Sequence, residues 1–134
     1  MPSPQALFDI QPQLSTPIYR QVVEQVQRLV AGGQLGPGDE LPSVRVVAER
    51  HAINPMTVSK AYSLLEAEGL LERRRGVGMV VAARVQPASA DEDRLTLLAP
   101  ALETAARQAA QLGIAADAAL AAFSRVLQKT PKEE

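Results

Sequence analysis

A mainly α-helical chain with one small β-hairpin is what this sequence predicts, and three observations predict it. Apolar residues recur every three or four positions in five separate stretches, the spacing of an amphipathic helix face. Residue types that start and stop helices stand at the ends of those stretches. The glycine- and arginine-rich run "RRRGVG" separates two short β-prone segments, "LLE" and "MVVAA", which is how a hairpin reads.

Residues 1–16 hold three prolines and no sustained period, so they read as an arm leading into the first helix. In that helix Ile18, Val22, Val23, Val26, Leu29 and Val30 fall at helical spacing. Thr16 is its expected N-cap and Pro17 its first residue, where a missing N–H costs nothing. Gly32 and Gly33 end it. The stretch "QLGPGDELPS" then forms a turn around a short extended piece, Asp39 to Leu41. Ser43 is placed to cap a second helix that runs to about Arg50, with Val44, Val47 and Ala48 as its apolar face. After a turn through His51, Ala52 and Ile53, Asn54 as N-cap and Pro55 as first helical residue agree on where the third helix begins. Gly69 ends it just after Glu68. The hairpin follows, then "QPASADED", a linker by composition. An alanine-rich tail predicts helices from about Glu92 to Gln111 and from about Ala116 to Gln128, broken at Gly113. The expected organisation is an arm over 1–16, a folded domain over 17–84, a linker over 85–91 and a helical segment over 92–134.

Composition narrows the function classes. A chain of 134 residues with 46% apolar and 22% charged residues can bury one ordinary core. It has no cysteine, which removes disulfides, thiolate metal sites and thiol nucleophiles together. No apolar run approaches the roughly 18 residues of a membrane span, and no basic and apolar leader follows Met1. The expected setting is the cytoplasm. The sole histidine, His51, has no carboxylate pair, nucleophile elbow or phosphate loop beside it, so neither enzyme chemistry nor a cofactor or metal is expected. Net charge is −1, and between Gln13 and Arg84 nine bases face seven acids. That balance is far from the strongly basic signature of a generic nucleic-acid binder, and any phosphate binding must come from local placement of the cations.

Helix, short strand, helix, tight turn, helix, hairpin is the order of a winged helix-turn-helix, and the fold class expected is that domain plus a C-terminal two-helix dimerisation segment. On the third helix Val58, Ala61, Tyr62 and Leu65 share one face at i, i+3, i+4 and i+7, so the other helices can pack against it. Met56, Ser59, Lys60 and Ser63 then point the other way. Small hydroxyls with one lysine can enter a major groove about 12 Å wide without desolvating a large charge. Thr57, Ser59 and Lys60 lie in the N-terminal half, where free N–H groups and the helix dipole favour phosphate. The plain alternative is a solvated helix surface, and for Ser63 the two readings weigh the same.

At these residues the chain resembles a known family. "TPIYRQVVEQV", "GQLGPGDELPSVR" and "INPMTVSKAYSLLEAEGLLERRRGVGMVV" resemble the N-terminal domain of GntR-family bacterial transcription regulators, over about Pro17 to Ala82. PGDELPSVR, the NP-x-TV entry to the third helix, LEAEGLLE and RRGVG stand in the family's order and spacing. The resemblance implies that Ser43 and Arg45 reach DNA, Arg45 with a fork that matches guanine O6 and N7. The structural alternative for Arg45 is a pair with Glu49 four residues on. Thr57 matches the family's recognition-helix threonine. Arg75, Gly76 and Val77 match the wing tip that family members insert into the minor groove, with Arg74 and Arg73 beside it for phosphates or solvent. Three departures stand out: Val46 where a glutamate would complete a capping box with Ser43, Val77 where lysine is common, and a small Ser59 at a position that bears on operator bases.

The fifty or so residues after the hairpin are too few for the ligand-binding or aminotransferase-like domains of larger members, and the two-helix tail resembles the YtrA-like subgroup. Leu95, Leu98, Leu102, Ala105, Ala106, Ala109 and Leu112 form an apolar stripe on its first helix, and Leu120, Phe123 and Leu127 one on its second. Such stripes need a partner surface. Pairing of two tails in a homodimer is the economical reading; folding back on the chain's own domain is the other. The implied partner is double-stranded operator DNA, bound with two-fold symmetry, with repression as the family's usual outcome. A small-molecule effector has room in this scheme, though no residue cluster marks its site. The rival function is a winged-helix scaffold that binds protein without DNA.

Overall fold

A computed structural model of the chain describes residues 7–83 and 91–129, with side chains in the second stretch from residue 93. Its elements are α1 (Ile18–Ala31), α2 (Val44–His51), α3 (Pro55–Ala67), β1 (Leu71–Arg74), β2 (Gly78–Val81), α4 (Asp91–Gln111) and α5 (Ala116–Lys129). The linker expected over 85–91 lies outside the described residues except for Asp91, as do the first six residues of the arm. The described residues fall into two units, one up to residue 90 and one from residue 91.

In the first unit the three helices and the hairpin surround one core. α3 is its centre, packed against α1, α2 and β1. The face expected from the spacing is the one buried: Val58, Ala61 and Leu65 are wholly inaccessible and Tyr62 nearly so. Val22, Val26 and Val30 of α1, Val47 of α2, and Leu71 and Val81 of the strands close around them. The hairpin is antiparallel, with Leu71 opposite Val81 and Arg74 opposite Gly78. Beyond it, the extended Asp39–Leu41 piece pairs with β2: Leu41 N–H donates to the Met79 carbonyl at 2.9 Å and Val81 N–H to the Asp39 carbonyl at 2.8 Å. The Asp39 carboxylate accepts from Gly36 N–H at 2.8 Å, closing the preceding turn.

The helix ends follow the expected chemistry with one correction. Ser43 Oγ accepts from Val46 N–H at 3.1 Å and Asn54 Oδ1 from Met56 N–H at 2.8 Å, each capping its helix. At α1 the N-cap is Pro17, not Thr16: the Pro17 carbonyl accepts the Arg20 and Gln21 N–H groups. Thr16 is drawn elsewhere, because its carbonyl accepts from the Gln21 side-chain amide at 2.9 Å. α2 ends on Ala52, the one described non-glycine residue with positive φ, at 54°. Alanine in the left-handed region is strained by its Cβ, and glycine is not. Ala52→Gly is therefore expected to stabilise the unit by about 1 kcal/mol, read as a higher urea midpoint at unchanged m-value.

The arm contributes more than its lack of period suggests. Phe8 is buried in the shared core, with Leu7 and Ile10 partly buried against it. Two glutamines of α1 hold the arm by its backbone. Gln25 accepts from Asp9 N–H at 2.9 Å and donates to the Asp9 carbonyl at 2.7 Å. Gln21, itself buried, accepts from Gln11 N–H and donates to the Gln11 carbonyl, both at 2.9 Å.

The second unit consists of α4 and α5, joined through Gly113, whose φ of 71° permits the helix-ending turn. The two helices do not pack along one another, and no side chain of α5 is buried. Leu95, Leu98, Leu102, Leu112, Leu120, Phe123 and Leu127 are all exposed, as are Leu97, Ile114 and Val126, which the sequence reading passed over. Ala105 and Ala106 are exposed and Ala109 is half-buried. No helix among the described residues is long and apolar enough to cross a membrane.

Candidate nucleic-acid interface

With Val58, Ala61, Tyr62 and Leu65 turned inward, helical geometry leaves Met56, Ser59, Lys60 and Ser63 outside, and all four are exposed. Met56, at 77% accessible, is the most exposed large apolar residue of the described chain. Thr57 is half-buried, and its N–H donates to the Asn54 carbonyl at 3.0 Å.

Ser43 and Arg45 are exposed at the start of α2. Arg45 makes no ion pair or hydrogen bond with a described residue, so the pairing with Glu49 is not formed. The wing tip is exposed from Arg73 to Gly78. Val77 N–H closes the turn onto the Arg74 carbonyl at 3.0 Å, and Gly76 has a φ of 79°, the conformation that the third residue of a type II turn requires. Its neighbours hold different company. Arg73 reaches Glu66 of α3 at 3.8 Å and Arg74 reaches Glu72 at 3.3 Å, while Arg75 has no such partner among the described residues. Both pairs are largely exposed and contribute little.

An open cleft of about 460 Å³ separates the start of α2 from the wing, with Pro42, Ser43 and Val46 on one side and Val77 and Met79 on the other. Tyr62 fixes its floor. The phenol is buried and donates to the Pro42 carbonyl at 2.7 Å, and burial pushes its pKa well above the ordinary tyrosine value. The hydroxyl stays protonated and the residue just before Ser43 is held to α3. Sequence reasoning placed Tyr62 in the core and gave no sign of this bond, which spans twenty residues.

Lys60 is the other surprise. Its ammonium lies 3.9 Å from the centroid of the Tyr19 ring on α1, a contact between residues far apart in sequence that no local pattern announces. His51, at the end of α2, is half-buried; burial first, and then Arg50, lower its pKa, with Asp9 acting against them. No group of His, Asp or Glu among the described residues is arranged to hold a metal ion.

Capped helix, exposed polar recognition helix and glycine-tipped wing on one domain define a DNA-binding transcription regulator. The profile of the Bacterial regulatory proteins, gntR family, matches residues 18–81. The HTH-type transcriptional repressor YtrA of Bacillus subtilis (strain 168) is 47% identical over 76 residues, which span 57% of this chain and 58% of that one. The HTH-type transcriptional regulator YhcF of the same organism is 37% identical over 107 residues, 80% of this chain and 87% of its own length. Among solved structures, YtrA from Sulfolobus acidocaldarius, a GntR-family transcription factor, has a TM-score of 0.51 and 30% identity, covering 92% of this chain and 98% of that one. The chain belongs to the GntR family, in its YtrA subgroup. These relatives are named as regulators, and none as an enzyme.

Proposed function

We propose that this regulator binds a two-fold symmetric operator as a homodimer and represses transcription from it. The observation that carries the reading is the exposed Met56, Ser59, Ser63 face of α3, on a unit whose exposed Arg45 and Arg75 make no ion pair with a described residue. In this arrangement α3 enters the major groove. Ser59 and Ser63 reach base edges, and Met56 meets an apolar base surface. Ser43 and Thr57 bind phosphate at the two helix starts. Arg75, Gly76 and Val77 enter the minor groove, with Arg74 released from Glu72 to a phosphate. Repression is supported by the name of the Bacillus relative YtrA.

The dimer is supported by the spacing in the tail. Leu95, Leu98, Leu102, Ala105, Ala109 and Leu112 alternate steps of three and four, the seam of a coiled coil. Alanines in the middle of the seam let two helices approach closely. The exposed stripe of Leu120, Phe123 and Leu127 extends the pairing surface along α5.

Selection of bound duplexes from a random library, followed by sequencing, tests the reading. A two-fold symmetric consensus is expected, with affinity that falls steeply as salt rises. Retention of duplexes without any consensus, or affinity indifferent to salt, rejects it in favour of a protein partner. Arg45→Ala is expected to weaken binding to the selected duplex by about 1–3 kcal/mol per half-site and to relax the preference for one guanine, measured by fluorescence anisotropy against duplexes altered at single positions.

A further inference from the structure

Tyr19, in the first turn of α1, gathers two cations. Lys60 Nζ stands 3.9 Å from the centroid of its ring and the Arg20 guanidinium carbon 5.6 Å from the same point, both within the range of a cation–π contact. Neither cation makes an ion pair with a described carboxylate. The ring attracts each charge through its quadrupole but neutralises neither, so two like charges are collected around one ring with no ion-pair partner among the described residues. An anion seated there would remove the repulsion. The contact also draws the Lys60 ammonium to α1, away from the base-reading side chains Met56, Ser59 and Ser63. A duplex lying along α3 carries one negative charge per about 1.7 Å of axis, and its backbone is the polyanion that borders the recognition helix.

We propose that Tyr19, Arg20 and Lys60 form a phosphate-binding station for the DNA backbone on the α1 side of α3, in which Tyr19 is a positioning residue that holds the two cations ready. The station rests on the DNA reading given above and deepens it. It assigns Lys60 to a phosphate and not to a base, and it brings α1 into the interface.

The test uses the full chain and a duplex selected by it from a random library. Arg20→Gln and Lys60→Gln are each expected to weaken binding to selected and scrambled duplexes alike. Each should also reduce the slope of log K against log salt by about 0.9. Tyr19→Phe keeps the ring and should bind as the parent does. Tyr19→Leu keeps the apolar bulk and should weaken binding about two- to fivefold, the worth of an exposed cation–π contact, and it should add nothing once Arg20 and Lys60 are both glutamine. A single methylphosphonate walked along the duplex should cost the parent affinity at one phosphate where the Arg20→Gln, Lys60→Gln double variant loses none. Inorganic phosphate should compete with the duplex no better than chloride at equal ionic strength.

Variants at all three positions that bind like the parent overturn the station and leave the DNA reading intact, as does a Lys60→Gln that changes base preference without changing the salt slope. Tighter binding by Tyr19→Leu overturns it too, since the ring would then be withholding Lys60. Saturable competition by inorganic phosphate, lost in the double variant, assigns the site to free phosphate. Failure of the parent chain to bind any duplex rejects the DNA reading itself, and is recognised because Arg45→Ala then changes nothing either.

Discussion

A chain ended after residue 90 is expected to remain folded and to bind the selected duplex roughly 100- to 10,000-fold more weakly than the full chain. The fold survives because the first unit has its own core: Val22, Val26, Val58, Ala61, Leu65 and Val81 are closed off from solvent by side chains from the same unit. The affinity falls because one winged domain offers the duplex a single copy of α3 and a single wing, and so only half of the phosphate and base contacts of a pair. Two domains held together make the second half-site contact intramolecular, and the effective concentration multiplies the affinities without any new contact. A gentler version keeps the whole chain and changes Leu98 and Leu102 to glutamate. Buried unpaired carboxylates at a helix seam are costly, so the variant should sediment as a monomer and lose affinity to a similar degree. Sedimentation equilibrium gives the stoichiometry and fluorescence anisotropy the affinity. Unchanged values for both the shortened chain and the glutamate variant would show that α4 and α5 have another use.

What the sequence made legible follows from the range over which each force acts. Caps and breakers are local, so Ser43, Asn54, Pro55 and Gly69 announced the ends of α2 and α3 without any knowledge of the rest of the chain. The buried face of α3 was legible because the period of a helix turns four spaced apolar residues to one side. Asp39 to Leu41 could be read as extended, since a proline- and glycine-rich turn precedes it, although its pairing with β2 could not. Other failures concern partners that residue type alone does not announce. Thr16 looked like an N-cap by residue type, but its carbonyl is engaged by Gln21 and the helix opens one residue later, at Pro17. Lys60 looked like a free recognition-helix cation, and the ring that holds it belongs to a helix forty-one positions earlier. Nothing in the neighbourhood of Lys60 records Tyr19, while Gln21 lies only five residues beyond Thr16 but carries no pattern that marks it as a side-chain donor to that carbonyl. The same limit applies to the tail, where spacing reveals a stripe and exposure reveals that it is open, while the identity of the covering surface is carried by no single residue.

Replacing Phe8 by alanine is expected to destabilise the winged unit by about 3–5 kcal/mol, a large part of the 5–15 kcal/mol that separates folded from unfolded domains. The arm has no periodic pattern, and that is why its place in the core went unread: a single anchoring side chain has no period. Phe8 is only 6% accessible and belongs to the same core cluster as Val22, Val26 and Leu65. Its removal leaves a cavity in a core rich in stiff β-branched valines, which collapse into such a space only at a cost. The chain is held just after Phe8, since Gln25 bonds both backbone groups of Asp9 and Gln21 both those of Gln11. These bonds restrict how far the arm can shift to refill the gap. Phe8→Leu, which keeps most of the apolar volume, should cost less than half as much. Urea unfolding of the three proteins, followed by far-ultraviolet circular dichroism, gives the comparison. Equal midpoints for Phe8→Ala and the parent would mean that the arm leaves the core in solution, and that α1 is completed by solvent at the face where Phe8 now lies.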